Sequence, residues 1–143
     1  MDEVTTAWLE LKARFEALAA KHRHYVEFFE RATEAYLITD TEGSIQEANG
    51  AAVDVLQRRK RDLRARPLAA LVALDQRASF RSKLQALAAR DPAAERSWRT
   101  IVLAPELRIA VRLSTRLIEG PQGPRGIAWL LEPQPESQPE SQP

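Results

Sequence analysis

The sequence predicts an α+β fold: a five-stranded antiparallel sheet with helices between its second and third strands, preceded by a long amphipathic helix. Three observations carry this. Apolar residues near the N-terminus recur at alternating steps of three and four, the period of a helix. The last third of the chain alternates apolar and polar residues, the period of a strand. Between them, two strand-length runs precede a series of alanine- and leucine-rich segments. Strands and helices are segregated along the chain, which favours an antiparallel sheet with grouped helices over alternating βαβ units. The expected layering puts the grouped helices on one face of the sheet and the long first helix across the other.

The first 30 residues read as one long helix. Val4, Trp8, Leu11, Phe15, Leu18, His22, Tyr25 and Phe29 follow one another at steps of 4 and 3, the seam of a heptad repeat. The seam spans fewer than four heptads, so two uses fit it: pairing with a second chain, and packing on the protein's own sheet. Trp8 and Phe15 offer large aromatic areas, which favours an interface. Val4, Trp8, Leu11, Phe15 and Leu18 are therefore the candidate contacts of a homodimer. The organisation expected is a helix over 1–25, a folded domain over 26–132 and a tail over 133–143.

"AYLIT" is apolar and partly β-branched, and "SIQEA" returns after "DTEG", so the pair reads as a β-hairpin. Asp40 and Gly43 supply the chemistry of its turn. Asn49 stands directly before "GAAVDVLQ", where its side-chain oxygen can accept an unpaired amide of a first helical turn. "RRKRDLRARPLAALV" reads as short helical pieces broken at Pro67. "DQRASFRSKLQALAAR" is a helix with Phe80, Leu84 and Leu87 on one face, Asp75 as its candidate cap and Asp91-Pro92 as its stop. "SWRTIVLA" and "RIAVRLSTRLI" are half-buried strands, the second with Ile109, Val111, Leu113, Thr115 and Leu117 facing one way. "EGPQGPRG" is a rigid turn, and "IAWLLE" is the last strand. "PQPESQPESQP" has no apolar residue to offset its ordering entropy and is expected to be disordered.

Composition narrows the function classes. The 143 residues include 44% hydrophobic and 29% charged, with a formal net charge of +1. Near-balance argues against whole-chain nucleic-acid binding. The absence of cysteine excludes disulfides, thiolate metal sites and cysteine nucleophiles. "MDEVTTAWLE" lacks the features of a signal peptide, and no apolar run reaches the roughly 20 residues that cross a bilayer. The expectation is a soluble, cytoplasmic protein without a transmembrane segment.

Nothing in the sequence points to catalysis or to a metal. His22 and His24, two apart on a helix, point to nearly opposite sides and cannot share an ion. "GPQGPRG" lacks the Lys-Ser or Lys-Thr ending of a phosphate loop. Arg58, Arg59, Lys60, Arg61, Arg64 and Arg66 crowd nine positions and could meet phosphates, acidic lipid headgroups or an acidic protein, but a solvated helix face is the commoner use. No aromatic residue is interleaved there for base stacking.

"YLITDTEGSIQEANGAAVDVL", followed by "RPLAALV", "RASFRSKL" and the tryptophan strand "GIAWLLE", resembles the PAS domain family of sensory modules from Val26 to Glu132. The resemblance implies a sheet of strand order 2-1-5-4-3. In that light Asp40, Gly43 and Asn49 are folding residues first. The chain departs from the family pattern where Gln57, Arg58 and Arg66 replace glycines that many members carry at helix ends. It also replaces the usual C-terminal output helix with a proline-rich run.

The family also implies a possible ligand space between helices and sheet, lined here by Phe80, Leu84, Val111, Leu113 and Trp129. The alternative is that these residues only fill the core. No cofactor is expected. Cysteine-linked flavin or chromophore is excluded, and haem is disfavoured because the longest inter-strand helix has no histidine. The function implied is a non-catalytic, bacterial-type sensory or signalling module that homodimerises through its first helix, with a non-covalent small ligand left open. The alternatives are a scaffold or adaptor with a filled core, and the input domain of a longer histidine kinase or related signalling enzyme.

Overall fold

The computed structural model describes residues 3–135; the expected disordered tail lies outside them from residue 136 onward. Helix α1 (Glu3–Arg31) leads into β1 (Ala35–Thr39) and β2 (Ile45–Ala48). The helical segment follows as α2 (Gly50–Leu56), α3 (Lys60–Leu63), two 3-10 turns (Leu68–Leu71, Leu74–Gln76) and α4 (Arg77–Ala88). Strands β3 (Ser97–Ala104), β4 (Leu107–Gly120) and β5 (Gly123–Pro133) complete one antiparallel sheet of order β2-β1-β5-β4-β3. The expected α+β fold and strand order are both present.

Period decides the packing. In β4, Val111 and Leu113 are buried on the inner face, and α4 buries Phe80, Leu84 and Leu87 against it. Leu37 of β1 faces Trp129 of β5 on the same inner face, and Leu113 faces Leu131. The core therefore lies between α2–α4 and one side of the sheet. Each sheet edge carries one isolated bridge: Ser44 to Pro67 beside β2, and Val72 to Val102 beside β3. Pairing at these points shortens the stretch of each edge open to strand addition.

Helix α1 departs from the expected layering. It does not lie across the outer face of the sheet. It extends away from the domain, and only its C-terminal end approaches the sheet beside Tyr36, Ile38 and Ala128. It also runs past residue 25 to Arg31, where the Glu30–Lys60 ion pair ties it to α3. The reason is in the pattern: Val26 and Phe29 are apolar within reach of the sheet, whereas the seam above them has no strand beneath it.

Asp75 does not cap α4. It sits in the second 3-10 turn, and Gln76 holds the cap position without a capping side-chain bond. The Gln76 side chain is committed elsewhere. Its Oε1 accepts from the Ile101 amide at 3.1 Å and from the Thr100 hydroxyl, closing the edge of β3. The C-terminal strand extends one residue past the expected boundary, since Pro133 pairs with Val111 and the Gln134 amide donates to the Ala110 carbonyl at 2.8 Å.

Candidate functional site

The hairpin residues act as joints. Asp40 Oδ1 accepts the Glu42 and Ser44 amides at 3.0 and 2.9 Å, closing the turn before β2. Gly43 has φ +89°, and a Cβ there would stand 2.9 Å from Leu84 Cδ2. Glycine is thus needed for the left-handed turn, and any larger residue would also push the Leu84 side chain of α4 aside. Asn49 is fully buried. Its Oδ1 accepts the Ala52 amide, capping α2, and the Tyr36 amide of β1, both at 3.0 Å. Its Nδ2 donates to the Glu34 carbonyl at 2.8 Å. One side chain therefore joins the end of the sheet, the start of α2 and the segment that follows α1.

Phe80, Leu84, Val111, Leu113 and Trp129 lie together in one buried cluster. Phe80 stacks on Trp129 with centroids 5.5 Å apart, and Trp98 meets both rings edge-on at 6.2 and 6.0 Å. Three aromatic rings thus occupy the space between α4 and the sheet. The Trp129 indole N–H donates to Thr39 Oγ1 at 2.9 Å, and that hydroxyl donates to the Asp40 carbonyl at 2.8 Å. Thr39 was legible only as part of a strand. Its inward position follows from register with Ile127 and is satisfied by this bond.

The seam residues of α1 are open. Val4, Trp8, Leu11, Phe15 and Leu18 are 79, 57, 65, 70 and 66% exposed. Toward its C-terminal end the same side of the helix lines a groove of about 640 Å³ with His22, Val26 and Phe29, facing Tyr36, Ile38 and Ala128. Tyr36 donates its hydroxyl to Glu34 at 3.1 Å. That bond, then partial burial, then the charges of Glu34 and Glu132 raise its pKa above the ordinary phenol value. Sequence reasoning passed over this groove, yet a signal was present. "AYLI" is apolar at every position rather than at alternate ones, which marks a strand with apolar groups on both faces.

The basic run is largely committed within the domain. Arg59 pairs with Asp62, Lys60 with Glu30 and Arg64 with Glu47. Arg66 Nε donates to the Asp62 carbonyl at 2.9 Å, and Arg58 Nη2 to the Leu103 carbonyl at 3.3 Å. His22 lines the groove while His24 lies beside Glu27 and Phe28 on another side of α1, as their spacing requires. Among the described residues no group of three His, Cys, Asp or Glu side chains could hold a metal. Among them no helix is long and apolar enough to cross a membrane.

An antiparallel sheet of order 2-1-5-4-3, cupped on one side by short helices, is the architecture of a PAS fold. The family model described as the PAS fold matches residues 23–133, and the chain belongs to that family. The PAS domain of an HTR-like protein from Haloarcula marismortui superposes with a TM-score of 0.70 at 12% identity, covering 86% of this chain and 99% of that one. A domain of a sensory box sensor histidine kinase/response regulator from Geobacter sulfurreducens gives 0.65 at 19%, covering 80% and 96%. The PAS domain of nitrogen regulation protein NR(II) from Vibrio parahaemolyticus gives 0.54 at 15%, covering 76% and 95%. No curated protein matches the sequence.

Proposed function

We propose that this chain is a non-catalytic signalling module that pairs with a second copy of itself through the seam of α1. The observation that carries the reading is the exposure of Val4, Trp8, Leu11, Phe15 and Leu18 along one helical stripe. Burying each against a partner contributes on the order of 1.5–3 kcal/mol. That sum is large enough to offset the cost of association. The signal is a change in how α1 packs at its C-terminal end, where Val26 and Phe29 meet the sheet. Such a shift biases a two-state equilibrium with the energy of a few side chains. Similarity to domains of sensor histidine kinases supports a role as an input module for such an enzyme.

Leu11→Asp with Phe15→Asp is the direct test. Light scattering should show the mass falling from dimer to monomer while the circular dichroism of the sheet is kept. A mass unaffected by the double substitution would remove the proposal.

A second reading concerns the interior. The stacking of Phe80, Trp98 and Trp129 supports a scaffold whose core is filled by its own side chains, over a sensor that holds a small ligand there. Native mass spectrometry of protein purified from its host separates the two. A bound non-covalent mass would favour ligand sensing.

A further inference from the structure

Strand β4 is longer than the neighbour that covers it. β3 begins at Ser97, opposite Ser114, whereas β4 runs on to Gly120. The last point of contact is the Arg96 carbonyl, which accepts the Thr115 amide and the Thr115 hydroxyl, both at 2.8 Å. Before Arg96 the chain turns at Asp91, where the Ala94 amide donates to the Asp91 carbonyl at 3.0 Å. The edge of β4 past Thr115 therefore has no strand beside it. In an antiparallel pair, alternate residues send both N–H and C=O to the same neighbour. Thr115 points toward β3, and the register is unbroken as far as Ile118. Leu117 thus turns both of its backbone groups toward a cleft of about 450 Å³ instead of a strand.

That cleft joins apolar groups to cations. Leu87, Ala94 and Leu117 line it and belong to the core or pack against it. Its two carboxylates are already engaged, Glu119 with Arg90 and Asp91 with the Ala93 amide. Glu95, beside Arg96 in the chain, pairs with Lys83. Arg96 and Arg116 also line the cleft, and among the described residues neither guanidinium has a hydrogen bond or an ion pair. Alternation sets these two on opposite faces of the sheet. Arg96 stands across from Thr115 and shares its face, while Arg116, the next residue, takes the other. An extended segment laid along the edge presents side chains to both faces and its own backbone to Leu117. We propose that the free edge of β4 from Thr115 to Glu119 takes up an acidic extended segment of a partner protein as an added strand, with one carboxylate on Arg96 and one on Arg116. Bonds to the Leu117 backbone dock the segment, and the two arginines select an acidic sequence. The site needs neither the seam of α1 nor an open interior, so it stands apart from the function proposed above.

The test uses the full chain, titrated by NMR with threonine- and valine-based peptides of about six residues, the length of an ordinary strand. Their two central residues are both glutamate or both glutamine. Adjacent residues of a strand point to opposite faces, so one reaches toward each arginine. The glutamate peptide should shift the Leu117 amide resonance and slow its hydrogen exchange. Two exposed charge pairs should make it bind roughly fivefold tighter than the glutamine peptide at low salt. That advantage should vanish at about 1 M salt. It should also vanish in the double substitution Arg96→Gln, Arg116→Gln, whose melting temperature should match the parent's. A glutamate peptide methylated on its backbone nitrogens keeps its charges but cannot pair as a strand, and it should not bind. Equal binding of the methylated and unmethylated peptides overturns the inference, because charge alone would then hold them. Equal binding of the glutamate and glutamine peptides overturns the choice of an acidic partner. A Leu117 amide that neither shifts nor gains protection overturns the added strand. Dimerisation through α1 is read separately by light scattering and is touched by none of these outcomes.

Discussion

Asn49 satisfies two amides and one carbonyl from a fully buried position. Asn49→Ala leaves these groups unpaired and should lower stability by about 3 kcal/mol in denaturant unfolding, the loss of a cap plus orphaned backbone groups. The opposite effect is expected at helix ends where the family's glycines are absent. Gln57 holds φ 54° at the C-terminus of α2 and Ala65 holds φ 67°, left-handed angles that cost a side chain about 1 kcal/mol. Gln57→Gly removes that strain but adds freedom to the unfolded chain, so a net gain of about 0.5 kcal/mol is expected. Tyr36 gives a pH dependence. Its pKa is raised in the fold, so its contribution is fully present below the ordinary phenol value and is lost as pH rises through the raised one. Alkaline difference absorbance should lose a step above the ordinary phenol range in Tyr36→Phe. The identity of these residues was readable, but their partners were not. Sequence placed Asn49 at a helix start, while its bonds to Tyr36 and Glu34 depend on how β1 returns beside it. It placed Arg66 where glycine is usual, whereas Ala65 takes the left-handed angle.

Among the elements, strands and helices were legible wherever period and burial agree. β4 alternates and α4 keeps Phe80, Leu84 and Leu87 on one face, and both fold as their spacing requires. Helix α1 was legible as a helix but not in its placement, because one apolar stripe serves a partner chain and a sheet equally well. The exposed stripe leaves its upper part outside the buried core of the domain. Two outcomes follow for thermal unfolding. The intact chain should melt at temperatures that rise with protein concentration, as expected when a dimer is linked to folding. A chain beginning at residue 19 should melt cooperatively at a temperature independent of concentration. A truncated chain that no longer folds would show α1 to be part of the domain's core.

For the whole molecule, the central question is where a signal could be stored. A cup between helices and sheet can store it as a bound molecule, but here Phe80, Trp98 and Trp129 touch one another across that space. Interiors packed this way respond to a change in volume as a unit. Phe80→Ala removes the ring that stacks on Trp129 and should cost about 3–5 kcal/mol. It should also open an apolar cavity that a small hydrocarbon such as benzene can enter, raising the melting temperature of the variant but not of the parent. If benzene stabilises the parent equally, the interior already has room for a ligand. The route from sheet to α1 would then begin inside the cup rather than at the seam. If only the variant responds, the interior of the parent is filled by its own side chains.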